Sequence, residues 1–380
     1  MPILKKSSRA SASPAAVDNT ECIYVPLAAP VPEAVTPRRA GLTAEEQEKY
    51  NSLLEHFNSI GELPVSSKAD EKATAPLSDE EKAWITRECL LRYLRATKWK
   101  LADTCKRVEG TLVWRREFGV YDKLTAEYIS PENETGKQLV MGYDLARRPC
   151  LYLFPSRQNT KGPERQVQHL VYSLERVIDM MPSGQDTLAL LIDFKDATSS
   201  KNPSVGTGRQ VLHILQTHYP ERLGKALVIN IPWFVWTFLK IIYPFIDPLT
   251  REKLVFSEPL DKYVPAEQLD VEFGGKVRFP YDHAKYWPAL ESMCKAKREL
   301  YMRRWRDLGG PIGAPEEILR AETDEQPPAE ATEPAAPAAP ADADAAPPAD
   351  SYVAKMAALS EGSDVDAVDA KLGDLAVADK

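Results

Sequence analysis

Three apolar segments that alternate with helical segments between residues 188 and 257 constrain the fold of this chain most strongly. The first, at 188–194, is apolar on both faces, as expected of an interior strand in a parallel sheet. Further strands are predicted at 226–231 and 253–257, with helices at 208–218 and 233–243 between them. This order predicts an α/β fold with a mostly parallel sheet and right-handed crossovers.

Helical periodicity dominates the chain before this region. Thr43 with Glu46 and Ser78 with Glu81 form capping boxes, which predict the starts of two helices. Apolar spacing predicts that the second helix continues through Leu94. We therefore expect an N-terminal helical subdomain.

Between the helical block and the sheet region, the pattern changes twice. A third helix is predicted over 101–118, with Gly119 as its stop. Segments 140–143 and 151–154 predict the two strands of a short hairpin, and a long helix is expected over 163–181.

Composition divides the chain into four parts. Residues 1–40 lack periodicity, so we expect a disordered arm. A helical subdomain over 41–120 and a sheet domain over 121–320 follow. Residues 321–380 are rich in Ala, Pro, Asp and Glu, and too few large apolar groups are present to offset the entropy of ordering, so a disordered acidic tail is predicted.

The charge of the chain depends on this tail. Residues 321–380 carry 14 acidic and 3 basic side chains, which leaves 42 acidic and 45 basic side chains elsewhere. The body is therefore mildly basic, which does not indicate nucleic-acid binding but is compatible with weak attraction to an anionic membrane. Five widely spaced cysteines favour reduced thiols in a cytosolic protein.

Recognisable catalytic motifs are absent from the sequence. There is no nucleophile elbow, no Walker loop and no histidine pair spaced for a metal, so we expect no enzyme, no metal and no cofactor. Gly206-Thr207-Gly208 precedes a predicted helix, and a simple turn is favoured over a phosphate site. No run of about 20 apolar residues occurs, so any membrane contact is expected to be peripheral.

The predicted helix at 233–243 is apolar almost all round. Such a helix is either buried on every side or touches lipid on one side, and the pattern alone leaves both open. Its aromatic rings favour a membrane interface. If it touches lipid, the residues available for that contact are Trp233, Phe234, Trp236, Thr237, Phe238, Lys240, Ile241 and Tyr243.

Charged residues stand at the starts of two of the predicted strands. Glu221 and Arg222 precede one strand, and Lys253 begins the next. Because adjacent parallel strands start at the same sheet edge, Glu221 and Lys253 are expected to lie close together. They either form a plain ion pair, which spacing favours, or bind a polyol ring and a phosphate.

Three segments together carry a family resemblance. They are the segments at 90–98 (Leu-Leu-Arg-Tyr-Leu-Arg-Ala-Thr-Lys), 219–225 (Tyr-Pro-Glu-Arg-Leu-Gly-Lys) and 244–250 (Pro-Phe-Ile-Asp-Pro-Leu-Thr). They resemble the CRAL-TRIO lipid-binding family, in particular the fungal phosphatidylinositol transfer proteins. Segments 158–161, 167–170 and 212–218 resemble the branch linked to pleiotropic drug resistance and azole tolerance.

The resemblance implies a fold in which an N-terminal helical subdomain and a mostly parallel sheet with flanking helices enclose a lipid pocket. It implies that Glu221 and Lys253 contact an inositol headgroup, with Arg222, Thr250 and Arg95 around its phosphate. The helix at 233–243 is then the gate. Thr97 departs from the family pattern, since the main member has an arginine there.

A second departure concerns the second ligand. Leu188 and Leu190 stand where the family's phosphatidylcholine site has small hydroxyl residues. This puts phosphatidylcholine exchange in doubt and leaves room for another apolar ligand, such as a sterol.

The leading hypothesis is a soluble phosphatidylinositol transfer protein, linked to lipid and sterol homeostasis and presenting its lipid to a phosphatidylinositol kinase. We expect a cytoplasmic protein peripherally bound to membranes of the endoplasmic reticulum, lipid droplets or cell periphery. Three alternatives stay open: a sensor of sterol or another hydrophobic ligand on the same fold, a lipid hydrolase, and an adaptor that acts through the acidic tail.

Overall fold

A computed structural model describes residues 21–321, except 38, 69–71, 202–203 and 244–245. The predicted acidic tail beyond residue 321 and the first 20 residues of the predicted arm lie outside the described residues. Within that part of the chain the α-helices are α1 Ala44–Ser59, α2 Asp79–Trp84, α3 Arg87–Ala96, α4 Leu101–Phe118, α5 Ala126–Ile129, α6 Pro163–Asp179, α7 Val205–His218, α8 Trp233–Ile242, α9 Pro248–Arg251, α10 His283–Asp307 and α11 Glu316–Leu319.

The strands of the described residues form two sheets. They are β1 Glu62–Pro64, β2 Thr74–Pro76, β3 Gln138–Tyr143, β4 Pro149–Leu153, β5 Leu188–Asp193, β6 Leu223–Ile229 and β7 Leu254–Phe256. Strands β1 and β2 pair as a small antiparallel ribbon, and the other five form one sheet in the order β3-β4-β5-β6-β7. The predicted hairpin and the predicted parallel sheet are both confirmed.

The N-terminal helices start where their caps predict and form a core of their own. The backbone N–H of Glu46 donates to Thr43 Oγ1 at 3.2 Å, and the Ser78–Glu81 box is also formed. One prediction is wrong: the helix that starts after Ser78 does not continue through Leu94. It ends at Trp84, because Thr86 Oγ1 accepts the N–H of Cys89 and starts a new helix, α3.

The strand order places the crossover helices on one face of the sheet. Strands that follow each other along the chain from β4 to β7 are also neighbours in the sheet. Because right-handed crossovers that all advance in one direction lie on the same side, their helices share one face of the sheet. Helix α8 packs there, because Trp236 lies against Phe256 and Val228 in one apolar cluster. The opposite face is covered by the segment after β7, where the ring of Phe273 stacks on Tyr152 at 5.9 Å.

The structure differs from the expected disordered arm over residues 21–37 and 39–40, which pack along the body. The backbone N–H of Ile23 donates to the carbonyl of Arg278 at 2.9 Å, and the hydroxyl of Tyr143 donates to the carbonyl of Ala28 at 3.2 Å. Ala34 is buried. These donors and acceptors are supplied by distant parts of the body, and the composition of the arm does not reveal them.

Candidate functional site

The amino edge of the parallel sheet gathers three charged residues. Asp186 stands two residues before β5, Glu221 two residues before β6, and Lys253 immediately before β7. Parallel strands begin at a common edge, so residues far apart in sequence meet there. The structure therefore brings Glu221 and Lys253 to the same edge, as the sequence predicts, and adds Asp186.

Two arginines from other elements contact these carboxylates. Arg95, in the last turn of α3, donates through Nε to Glu221 Oε2 at 2.5 Å. Arg39, from the arm, places Nη1 3.5 Å from Glu221 Oε2 and donates from Nη2 to Asp186 Oδ1 at 3.1 Å. We call Arg39, Arg95, Asp186, Glu221 and Lys253 the edge cluster.

The backbone at Glu221 is strained, and the adjacent side chains of Glu221 and Arg222 differ in exposure. Glu221 has φ 55°, a left-handed conformation that costs energy for a residue with a side chain. Its carboxylate is half-buried at the surface, whereas the next residue, Arg222, is only 7% exposed. A strained backbone at such a position is typical of a functional site.

Burial dominates the electrostatics of the edge cluster. It lowers the pKa of Lys253, an effect that the neighbouring charge of Glu221 opposes. Burial also lowers the pKa of Arg95, again opposed by Glu221. For Asp186, burial opposes ionisation, but the charges of Arg92, Arg39 and Arg222 outweigh it and hold the pKa below its usual range.

The structure places Arg222 behind the edge cluster rather than at its surface. Its Nη1 donates to the backbone carbonyl of Asp186 at 2.9 Å, and its Nη2 lies 3.8 Å from Glu316 of α11. Glu316 also pairs with Arg92 at 3.3 Å. Burial, reinforced by the charge of Arg92, lowers the pKa of Arg222 to about 10, so it stays charged at neutral pH.

Two hydroxyl residues near the edge cluster are engaged locally. Thr250, in α9, donates its hydroxyl to Asp247 Oδ2 at 2.5 Å. The carbonyl of Thr250 accepts the backbone N–H of Lys253 at 3.1 Å, which places Thr250 beside the cluster. Thr97, where the family pattern has an arginine, donates to backbone carbonyls of α3 and contacts Thr104.

Helix α8, the candidate gate, packs against the sheet, and the structure shows which of its faces is inward. Trp236 is 8% exposed, with its ring centre 5.2 Å from that of Phe256, whereas Trp233 is 68% exposed. Phe238 contacts α7 so closely that a Cβ on Gly208 would lie 2.7 Å from its ring. The helix is therefore a core element on one side and an exposed aromatic surface at its start.

The remaining candidate gate residues lie along the same helix and just after it. Phe234, Thr237 and Lys240 are half-buried. Tyr243 follows the helix and lies under the guanidinium of Arg251, at 4.6 Å. The side chain of Ile241 lies outside the described residues.

Strand β5 presents apolar groups to the face that α8 covers. Leu190 is half-buried and pairs in register with Ala226 of β6, and Ile192 of the same face packs against the cluster around Trp236. Leu188 is buried. The two leucines therefore bring no hydroxyl group to this stretch of the strand.

A cavity of ≈590 Å³ lies at the opposite, carboxyl edge of the sheet. Its lining includes Asp193, Asn230, Ser257 and Glu258. The side chain of Asn230 donates to Asp193 at 2.8 Å, so part of its polar lining is satisfied internally. None of the edge-cluster residues lines this cavity, whereas Ile231, which lines it, also packs against the apolar cluster around Trp236.

Two features are missing from the part of the chain that the structure describes. No group of three or more His, Cys, Asp or Glu side chains there is placed to hold a metal ion. No helix of that part of the chain combines the length and the apolar character needed to span a bilayer.

Comparison with known proteins identifies the family to which the chain belongs. The CRAL/TRIO domain model matches residues 133–275, and the CRAL/TRIO N-terminal domain model matches residues 49–110. The chain belongs to the CRAL-TRIO family.

Two fungal relatives are much more similar in sequence to the chain than Sfh5, one of the solved structures that resemble it. Phosphatidylinositol transfer protein PDR17 of Saccharomyces cerevisiae is 39% identical over 80% of this chain and 91% of its own length. A CRAL-TRIO domain-containing protein of Schizosaccharomyces pombe is 53% identical over 77% of this chain, which spans only 29% of that protein. The crystal structure of Sfh5 aligns with a TM-score of 0.48 and 17% identity over 65% of this chain and 92% of that one.

Three residues around the site were missed by sequence reasoning. Arg39 and Asp186 belong to the edge cluster, and Arg148 of the β3–β4 hairpin lies so near Gly224 that a Cβ there would stand 2.3 Å from its Nε. Asp186 carried a usable signal, since it precedes β5 as Glu221 precedes β6. Arg39 carried none, because its partners are distant in sequence.

Proposed function

We propose that the chain is a phosphatidylinositol transfer protein that takes lipid from a membrane and carries it beneath helix α8. The observation that carries this proposal is the placement of a half-buried charged cluster at the edge of the sheet face that the apolar helix α8 covers. The family membership of the chain and the printed name of its relative PDR17 support it.

The edge cluster has the chemistry that an inositol phosphate headgroup requires. The carboxylate of Glu221 is an acceptor for ring hydroxyls, and Arg95 and Lys253 are donors for a phosphate. Arg95 Nη2 is buried and lies 3.7 Å from Asp186 Oδ2, but it has no hydrogen-bond partner among the described atoms. Because an unsatisfied buried donor costs free energy, a ligand oxygen at that position would be stabilising.

The energetics of lipid release require a membrane-docked mechanism. A phospholipid with two chains exposes about 30 methylenes, and at about 0.8 kcal/mol each their release into water costs on the order of 25 kcal/mol. Exchange must therefore occur on a bilayer, where the lipid never enters water. Helix α8 moves away from the sheet, and its apolar inner face then contacts lipid instead of Phe256 and Val228.

A second ligand, if one is carried, is proposed to be apolar. Leu188 and Leu190 offer no hydrogen bond, so a polar headgroup placed there would lose its water without compensation. The sterol or hydrophobic-ligand sensor is therefore the second candidate function. A lipid kinase as partner, a cytoplasmic location and the target membrane stay predictions.

Lipid loading and transfer assays test the proposal. Purified protein is incubated with phosphatidylcholine vesicles that contain phosphatidylinositol, its bound lipid is identified by native mass spectrometry, and transfer to acceptor vesicles is measured. Glu221→Gln and Lys253→Gln are each expected to reduce transfer by about 10- to 100-fold, since each removes a charge-assisted hydrogen bond of about 1.5–3 kcal/mol.

The surface pair of Glu267 and Lys276, 2.7 Å apart, provides matched controls. Glu267→Gln and Lys276→Gln make the same charge changes away from the edge cluster and should leave transfer unchanged. Wild-type protein that loads sterol but no phosphatidylinositol would favour the second candidate. Turnover of the bound lipid would reveal an enzyme instead.

A further inference from the structure

The arm, residues 21–37 and 39–40, reaches the edge cluster while being anchored elsewhere. The backbone N–H of Val35 donates to the carbonyl of Leu145 at 3.1 Å, and Ala34 is 4% exposed. The side chain of Gln268 donates to the carbonyl of Ala29 at 3.2 Å. These contacts hold the arm without help from Arg39, so a change at Arg39 should leave its course intact.

Arg39 is oriented by two carboxylates but remains accessible. Its Nη2 lies 3.1 Å and 3.3 Å from the two carboxylate oxygens of Asp186, and its Nη1 lies 3.5 Å from Glu221. The side chain is nevertheless 49% exposed. A guanidinium fixed on one side and open on the other can donate to a further anion without reorganisation.

The charge of the edge cluster depends on Arg39. Arg95 and Lys253 balance Asp186 and Glu221, so the cluster without Arg39 is neutral and with it carries one positive charge. The positive charge of Arg39 also opposes protonation of both Arg95 and Lys253, whose pKa values are already lowered by burial. Three cations held this close together are stabilised when an anion joins them.

We propose that Arg39 is a headgroup-binding residue, through which the N-terminal arm supplies a guanidinium to the phosphate of the bound lipid. This inference rests on the proposed function and deepens it. Asp186 acts as the positioning residue that holds the guanidinium in place. The phosphodiester of phosphatidylinositol carries a single negative charge, which matches the net charge of the cluster.

Replacement of Arg39 by glutamine and by lysine tests this assignment. Affinity for phosphatidylinositol in phosphatidylcholine vesicles is measured from the loaded fraction by native mass spectrometry. Arg39→Gln is expected to weaken loading by about tenfold, the effect of one charge-assisted hydrogen bond. Arg39→Lys should recover part of the loss, because it keeps the charge but not the planar fork.

Arg303, an exposed arginine of α10, provides the matched control. Arg303→Gln should load like the wild type, and Arg39→Gln should unfold at the temperature of Arg303→Gln. Wild-type protein that never loads phosphatidylinositol would defeat the proposed function itself. Normal loading of the wild type together with equal loading of Arg39→Gln would defeat only the role of Arg39.

Two further outcomes would also overturn the assignment. Faster or tighter loading by Arg39→Gln would show that the arginine blocks the site as a latch. Titration of lipid-free protein with inorganic phosphate and with inositol 1-phosphate separates a headgroup site from a free phosphate site. Inositol 1-phosphate should compete with the lipid better than inorganic phosphate does, and it should need Arg39. Equal competition by inorganic phosphate would show a free phosphate site, and competition that is unaffected by Arg39→Gln would refute a phosphate contact there.

Discussion

Replacing each of the two tryptophans of helix α8 by alanine should affect a different property of the protein. Trp233 is 68% exposed at the start of the helix, and Trp236 is 8% exposed against Phe256. If α8 docks on a bilayer, Trp233→Ala should weaken membrane binding with little effect on stability. Trp236→Ala should instead lower the free energy of unfolding by about 3–5 kcal/mol, as for other buried aromatic residues.

The size of the Trp233 effect follows from its exposed area. A tryptophan side chain offers up to about 250 Å², so about 170 Å² is available to a membrane at this exposure. At about 25 cal/mol per Å², full burial would contribute roughly 4 kcal/mol. An interfacial ring is about half buried, so a loss of about 2 kcal/mol, or roughly 30-fold in vesicle partitioning, is expected.

Three measurements check this prediction. Vesicle co-sedimentation gives the partition coefficient, a fluorescent phosphatidylinositol assay gives the exchange rate, and urea denaturation gives stability. Trp233→Phe should retain most of the binding, because it keeps an aromatic ring. Unchanged partitioning and exchange in Trp233→Ala, or a loss of stability equal to that of Trp236→Ala, would refute the docking role of α8.

Two further predictions concern the packing of α8 and acid stability. Gly208→Ala should lower stability by about 1–3 kcal/mol and raise proteolysis at α8, whereas Gly206→Ala, which has room for a Cβ, should not. Glu175 pairs with Arg115 at 2.8 Å. Burial opposes ionisation of Glu175, but the charge of Arg115 outweighs it and lowers the pKa of Glu175 to about 2. The ionised carboxylate therefore stabilises the folded protein by roughly 3 kcal/mol; urea titrations should show this contribution in full above pH 5 and its loss towards pH 2, and Glu175→Gln should lack this pH dependence.

Local sequence signals predicted most of the regular structure. The capping residues and Gly119, which adopts φ 73° after α4, located helix ends because they act on the nearest backbone groups. The one clear failure, the break before Thr86, also involves a cap. Apolar periodicity predicts one continuous helix through Thr86, whereas the hydroxyl of this threonine caps the start of the next helix.

The sequence by itself determined the order of strands and helices, and therefore the common edge at which Glu221 and Lys253 stand, because parallel strands begin on the same side. Tertiary structure alone decided that Arg39 joins them, since its partner Asp186 lies 147 residues away. It also decided that Trp236 faces the sheet and Trp233 faces out. Periodicity reports that a helix is apolar, but only the packing of distant elements determines which of its side chains are covered.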